Sequence, residues 1–442
     1  MSELEQLKAI ILDSQELPLD TGVPRRLDAQ AVPGKASICV GVRRSGKSTY
    51  LRQKMQQLVD AGVSRKNILS LNFFDDRLNY LEKTGLGIVA EAYFSLFPEK
   101  KGQETVYCFF DEIQAIPNWE PFIDRLLRTE KCEIWLTGSS ARMLSREIAT
   151  QMRGRALSWE VFPFSFHEFL DFKEIHVDNV LSTKNRLLVQ KAFDEYMACG
   201  GFPEVRALTP ALRIKIHQEY FHAILFRDLV ERYDIAHPRA VVDLARHLID
   251  NIASLYTLNR LTGMLQARGH KASKNVVSDY IEWFEDSYFL FTVKKFDASL
   301  NKSNANPKKI YCIDHAIITS VASGILINAG HILENMIFTH LRRFSSHIYY
   351  YKTHTNKEVD FLWINERHEK SLIQVCETIG DVKTRKRELA ALNEAMQELN
   401  LEYGVIVTRN ENEEEIISDD GKIVQVIPAW QFLLQFPSVV RF

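Results

Sequence analysis

The run "GVRRSGKST" sets Gly41, Gly46, Lys47 and Ser48 in the spacing G-x-x-x-x-G-K-[ST]. Glycines at those places let successive backbone N–H groups close around phosphate oxygens, and a helix opening there adds positive potential. Gly41, Arg43, Arg44, Ser45, Gly46, Lys47, Ser48 and Thr49 are the nucleotide-binding candidates. Lys47 would reach the β and γ phosphates of ATP, and the Ser48 hydroxyl would ligate Mg2+. Arg43 and Arg44 read as solvent-facing or adjacent-contact residues rather than catalysts. Further on, "VYCFFDEI" is an apolar strand ending in Asp111 and Glu112. An acid at a strand's C-terminal edge, beside the loop, is where a Mg2+ ligand belongs, and Asp111 takes that role. Glu112 is then placed to orient and deprotonate the attacking water.

Two further pieces carry weaker signals. "EIWLTGSS" ends in Thr137, Ser139 and Ser140, any of which could present a hydroxyl to the γ-phosphate or the water. Ser139 is the catalytic candidate among them, with an ordinary strand-to-loop transition as the equal alternative. "MRGRALSWEVF" places Arg153 and Arg155 just before another strand. Arginines there can reach a neighbouring subunit's nucleotide as fingers, which implies a homo-oligomer; solvated surface arginine is the alternative.

Strands and helices must alternate to put these residues together. "ASICVG" reads as a buried strand, and the helix after it runs to Gly62. "NILSLNFFDD", "TVYCFFDE", "CEIWLTGSS" and "ALSWEVFPF" are further strands with helical segments between them. That alternation predicts an α/β protein with a parallel sheet covered on both faces. At 442 residues the chain exceeds one ordinary core. The expected divisions are an N-terminal helix and lead-in over 1–35, a P-loop core over 36–163 and a helical lid or connector over 164–238. Two more follow, over 239–312 and 313–442. With 46% hydrophobic residues, 25% charged and a formal net charge of −2, there is no bulk pull toward nucleic acid. The six cysteines include no C-x-x-C pair, and Cys39, Cys108 and Cys132 read as buried thiols, which suits a reducing cytoplasm. No apolar run approaches the ~20 residues of a membrane span, so a cytoplasmic location without membrane contact is expected. Zinc spacings and a G-x-S-x-G elbow are lacking.

These motifs, with "FFDEIQAIPNWE", "RGRALSWEVFPFSFHEFL", "CGGFPEV", "KKIYCIDHAI", "ILENMIFTHLRR" and "YYYKTHTNKEVDFLW", resemble a known group. It comprises prokaryotic AAA-type P-loop ATPases whose C-terminal half is a domain of unknown function. The likeness runs from about residue 20 to nearly the end. It implies an AAA-like P-loop core, a helical segment, a winged helix and an α/β nuclease-like domain of the PD-(D/E)XK type.

In the C-terminal half, "LNRLTGMLQARGHKASKNVVSDYIEWFED" reads as two helices joined by a glycine-containing turn. A winged helix would lay the second into the DNA major groove, where Lys271, Lys274, Asn275 and Ser278 could meet phosphates or bases. Lys294, Lys295, Lys302, Lys308 and Lys309 stand in the wing segment. Against DNA, Asp279, Glu282, Glu285 and Asp286 make the helix acidic; protein contact or domain packing is as good a reading. In the last segment Glu334 and Asp360 match two positions of a nuclease-like metal site. The third, where acid-x-Lys belongs, is Gln374 and Cys376, so a degenerate binding fold is expected. The chain is thus expected to bind and hydrolyse ATP and to couple nucleotide state to a DNA- or protein-binding half. The alternatives are an ATP-gated nuclease effector and a non-hydrolysing ATP-bound scaffold.

Overall fold

The apolar runs around the glycine loop form the five strands of one parallel sheet. They are β1 (Ala36–Val40), β2 (Ile68–Asn72), β3 (Val106–Asp111), β4 (Cys132–Gly138) and β5 (Ala156–Glu160), in the order β2-β3-β4-β1-β5. In the computed structural model, residues 2–139, 152–176, 182–297, 299, 306–323, 328–417 and 421–441 are described. The chain divides into two compact units, Met1–Phe162 with Asp286–Tyr288, and Pro163–Glu285 with Phe289–Phe442.

In the first unit every residue of β1 is buried, as a strand covered on both faces requires. Helix α2 (Lys47–Asp60) lays Tyr50, Leu51 and Met55 onto Cys39, Phe109 and Trp135, with the Tyr50 and Trp135 rings edge to face at 6.4 Å. Helix α1 (Glu3–Glu16) buries Leu7, Ile10 and Ile11 against β2 and helix α3 (Gly87–Leu96). The lead-in after α1 is tied to α2 by polar bonds. Gln53 Nε2 donates to the Thr21 and Val23 carbonyls at 2.6 and 2.7 Å, and the Tyr50 hydroxyl donates to the Leu27 carbonyl at 2.9 Å. Helix α4 (Glu120–Thr129) packs against β4. Cys39 and Cys108 are buried and Cys132 half-buried, all as free thiols.

The second unit opens with helices α5 (Phe166–Phe172), α6 (Thr183–Cys199) and α7 (Pro210–Ala223); α7 runs on as a π-helix to Glu231. Then come α8 (Pro238–Asp250), β6 (Leu255–Tyr256), α9 (Leu258–Ala267), α10 (Lys274–Asp286), β7 (Leu290–Lys295) and β8 (Lys308–Cys312). After α11 (His315–Val321) and α12 (Ala329–Arg342) follow β9 (Ile348–Lys352), β10 (Glu358–Ile364), β11 (Lys370–Cys376) and α13 (Val382–Leu399). The chain continues through β12 (Tyr403–Thr408), β13 (Glu413–Ile417), β14 (Ile423–Pro428) and α14 (Ala429–Gln435). One nine-stranded sheet takes the order β13-β14-β12-β11-β10-β9-β7-β8-β6. Because β7 pairs antiparallel with β8 and parallel with β9, the strands on either side of position 312 share that sheet.

The "CGGFPEV" run has a packing reason. Gly200 and Gly201 end α6 where two parts of the unit meet within hydrogen-bonding distance. The Gly201 N–H donates to Asp314 Oδ2 at 2.7 Å, while Phe164 N donates to the Gly201 carbonyl at 2.6 Å. A Cβ on Gly201 would stand 2.4 Å from the Phe164 carbonyl oxygen, and one on Gly200 2.3 Å from Asp314 Oδ1. We expect Gly201→Ala to cost about 1–3 kcal/mol or more, the range for a methyl forced into filled space. Urea unfolding followed on the second unit's transition checks this. An unchanged midpoint would show that the junction yields freely.

Candidate functional site

Parallel pairing decides where the motif residues meet. Val40 of β1 lies opposite Gly138 of β4, and Phe110 of β3 opposite Leu136 of β4, so the C-terminal ends of three strands share one edge. The glycine loop leaves β1 there, Asp111 ends β3 there, and Thr137 ends β4 there.

The loop is wound tightly. Gly41 and Gly46 take φ of 152° and 101°, and a Cβ on Gly41 would lie 2.2 Å from the Val161 carbonyl oxygen. Only glycine fits at 41. Lys47, 4% exposed, turns its ammonium into the loop and donates to the Gly41 and Val42 carbonyls, each at 2.9 Å. Ser45 is fully buried, its Oγ without a hydrogen-bond partner among the described residues. Ser48 and Thr49 are half-exposed at the start of α2. Arg44 is exposed in the left-handed region at φ 66°, and half-buried Arg43 sits 5.7 Å from the Phe74 ring. The cradle of backbone, the buried ammonium and the unspent hydroxyl fit a phosphate chain.

Asp111 and Glu112 are held by a residue whose role the strand pattern did not indicate. Thr137, fully buried, donates its hydroxyl to Asp111 Oδ1 at 2.5 Å and accepts the Glu112 N–H at 2.8 Å. Its hydroxyl therefore positions the acid pair instead of facing a phosphate. Glu112 itself takes φ 55°, a left-handed turn just past the end of β3. Gln114 Nε2 donates to Glu112 Oε2, and Gln114 Oε1 is buried with no partner among the described residues. Only their closeness in "DEIQ" hinted at this pairing. Arg25 was also missed. It donates to the Ser45 carbonyl at 2.7 Å and the Phe162 carbonyl at 2.6 Å, bracing the loop from the lead-in.

Ser139 is buried at the same edge, and Ser140 lies outside the described residues. Arg153 is exposed, at φ 49°. Arg155 is half-exposed and forms an ion pair with Asp124 of α4 at 2.9 Å.

The second unit gathers a separate cluster. Glu334 of α12 and Asp360 of β10 lie together, and a lysine joins them from β8. Lys309 Nζ of β8 lies 2.9 Å from Glu334 Oε1 and 2.8 Å from Asp360 Oδ1, with Glu358 Oε1 at 2.9 Å. Lys309 is therefore no wing lysine for DNA phosphates, because it is 2% exposed and spent on carboxylates. Burial works against its charge, yet Asp360, Glu334, Tyr311 and Glu358 outweigh that and raise its pKa well above the usual lysine value. Gln374 was expected to offer an oxygen. That oxygen already accepts the Asp360 N–H at 3.1 Å, and the amide nitrogen donates to Glu388 Oε2 at 2.9 Å. Lys302 lies outside the described residues. Glu285, counted among the repelling acids of α10, is instead turned inward, accepting from Thr292 N and Oγ1 at 2.8 and 2.7 Å.

The first unit's sheet, glycine cradle and paired strand-end acids define an AAA-type P-loop ATPase domain, a fold that implies nucleotide binding. Residues 33–170 match the AAA domain family, 190–325 a domain of unknown function (DUF8612) and 329–432 another (DUF4143). The chain belongs to the same family as an uncharacterized protein of Methanocaldococcus jannaschii, 31% identical over 436 residues that cover 97% of this chain and 95% of that one. An uncharacterized Haemophilus influenzae protein is 30% identical over 327 residues, covering 73% and 78% of the two chains. Among solved structures, a Walker-type ATPase of Pyrococcus abyssi aligns over 72% of this chain and 94% of its own, with 15% identity and a TM-score of 0.41. Aquifex aeolicus DnaA bound to AMPPCP aligns over 64% and 89%, with 13% identity and a TM-score of 0.28. Among the described residues, no helix is long and apolar enough to cross a membrane.

Thr137 gives the site a structural test. Thr137→Val keeps the shape but leaves the Glu112 N–H buried without its acceptor, an omission that costs about 1–3 kcal/mol. We expect urea unfolding of the first unit to show that loss, with Thr137→Ser close to wild type. Equal midpoints for all three would remove Thr137 as the acid pair's support.

Proposed function

We propose that the chain hydrolyses ATP with Mg2+ and uses the nucleotide state to change what its C-terminal half binds. One observation carries this reading: the Lys47 ammonium sits inside a glycine cradle on the same sheet edge as Asp111 and Glu112. The loop N–H groups and Lys47 bind the phosphates and neutralise charge that builds on them as the γ-phosphoryl leaves. Ser48 and Asp111 are the residues that would hold Mg2+, which would supply further charge neutralisation to the phosphates. Glu112 orients the attacking water and takes its proton, after its carboxylate leaves Gln114. Ser139 stands beside Thr137 at the same edge as a further contact to the γ-phosphate or water.

For the finger, the two arginines now differ. Arg155 already serves Asp124 in its own subunit, whereas Arg153 is exposed. Arg153 is therefore the better donor to a neighbouring subunit's nucleotide in a homo-oligomer. In the second unit, the order α8-β6-α9-α10-β7-β8 supports a winged helix, and Lys271, Lys274, Asn275 and Ser278 are all exposed on or beside α10. The inward turn of Glu285 removes one acid from that surface, which favours DNA as the partner. The order α12-β9-β10-β11-α13-β12 supports a PD-(D/E)XK-like fold.

Two measurements test the ATPase reading. We expect Lys47→Ala to lose ATP binding, and Glu112→Gln to keep it while phosphate release falls by ~10²–10⁴, the range for a missing general base. Wild-type turnover by Glu112→Gln would sink the assignment of the base. Separately, Arg153→Ala and Lys47→Ala subunits, each inactive alone, should recover hydrolysis when mixed. Mass measurement would establish that the assemblies are mixed; absence of recovery there, with Arg155→Ala behaving the same, would remove the finger.

A further inference from the structure

Two carboxylates as buried as Glu334 and Asp360, 6% and 7% exposed, repel each other unless a cation lies with them. In many sites that cation is a divalent metal bound by oxygen. Here it is an ammonium. Lys309 Nζ donates to Glu334 Oε1 at 2.9 Å and to Asp360 Oδ1 at 2.8 Å, and Glu358 Oε1 lies at an ion-pair distance of 2.9 Å. Several other polar atoms of the cluster are committed as well. Asp360 Oδ2 accepts the Val375 N–H at 3.0 Å, Glu334 Oε1 also accepts the Tyr311 hydroxyl at 2.7 Å, and Glu388 is paired with Arg387. Gln374 joins Asp360 to Glu388 through both ends of its amide.

A cavity of about 310 Å³ opens onto this cluster, lined by His331, Glu334, Asp360, Gln374, Arg387 and Glu388 among others. Lys309 is not among its lining residues; it reaches the acids from β8. An ion entering through the cavity would thus meet carboxylates already paired with an ammonium. We propose that Lys309 is the built-in cation of this pocket, taking the place a divalent metal ion would fill, so that the second unit holds its acids together without metal. The proposal stands independently of the ATPase reading. It also separates two roles for a lysine beside paired acids. A catalytic lysine is turned toward the reacting water or phosphate, whereas Lys309 is 2% exposed with its nitrogen set among three carboxylates.

The test uses the full chain, nucleotide-free and stripped with chelator, titrated with Mn2+ while the free-ion electron paramagnetic resonance signal is followed. Wild type and Lys309→Arg should take up no Mn2+ that Asp360→Asn abolishes. Lys309→Met should melt lower than wild type without metal and take up an additional Mn2+, at least ~10-fold tighter than any uptake by wild type. Mn2+ should then raise its melting temperature by about 4 °C or more, and Lys309→Met with Asp360→Asn should lose both effects. Four results would each overturn the proposal: Mn2+ uptake by wild type that Asp360→Asn abolishes; a folded Lys309→Met with no added uptake; a Lys309→Met that Mn2+ cannot help to fold; and Mg2+-dependent cleavage of plasmid DNA by wild type that Lys309→Met abolishes. The last would make the lysine catalytic.

Discussion

A lysine ammonium cut off from water must be met by oxygen, and both units are arranged around that requirement. Lys47 and Lys309 are 4% and 2% exposed, and each charge is met by a different kind of oxygen. Around Lys47 two of the partners are backbone carbonyls of its own loop, which are dipoles rather than charges. Their convergence holds the ammonium inside the glycine cradle at the start of α2, where the helix adds positive potential. Around Lys309 the partners are three carboxylates from α12 and β10, which cancel it and more. The first arrangement suits a site that must draw in phosphates. The second suits a site that is closed on itself.

The same contrast explains what the surrounding backbone does. Near Lys47 the chain needs left-handed glycines and a bracing arginine, Arg25, because carbonyls can converge on one point only if the loop curls tightly. Near Lys309 the strands themselves deliver the side chains. Those from β8, β10 and α12 are long enough to meet, with the β9–β10 register shifting between Val359 and Leu362 where Asp360 lies, and Asn335 ties α12 to β8 by bonding both backbone groups of Cys312.

The first site was legible because its parts are local. Gly41, Gly46, Lys47 and Ser48 lie in one short run, and Asp111 and Glu112 are adjacent, so spacing alone reports their shared purpose. The alternation of apolar runs and helices likewise announced the parallel sheet. What spacing could not report was contact between segments far apart. Thr137 reads as one of several hydroxyls until β4 is paired with β3, after which it bonds Asp111 and the Glu112 N–H. Arg153 and Arg155 look alike in "MRGRA", and only the packing of α4 supplies Asp124 to one of them. Lys309 was the largest omission. A lysine was sought two residues after Gln374, on β11, whereas the sheet order lets β8 deliver one from a part of the chain read as a wing.

That delivery bears on how the second unit could hold nucleic acid. Glu334, Glu358, Asp360 and Glu388 gather around Lys309, Arg387 and Lys352, so these cations are already paired with acids. A phosphate entering the cavity would compete with those carboxylates for each cation. Attraction must come from elsewhere. Lys271 and Lys274 are exposed at the start of α10, where no carboxylate of that helix precedes them, while Asp279 and Glu282 lie further along it. A duplex would therefore be favoured at the N-terminal end of α10, where the helix dipole adds to the lysines, and disfavoured along the rest.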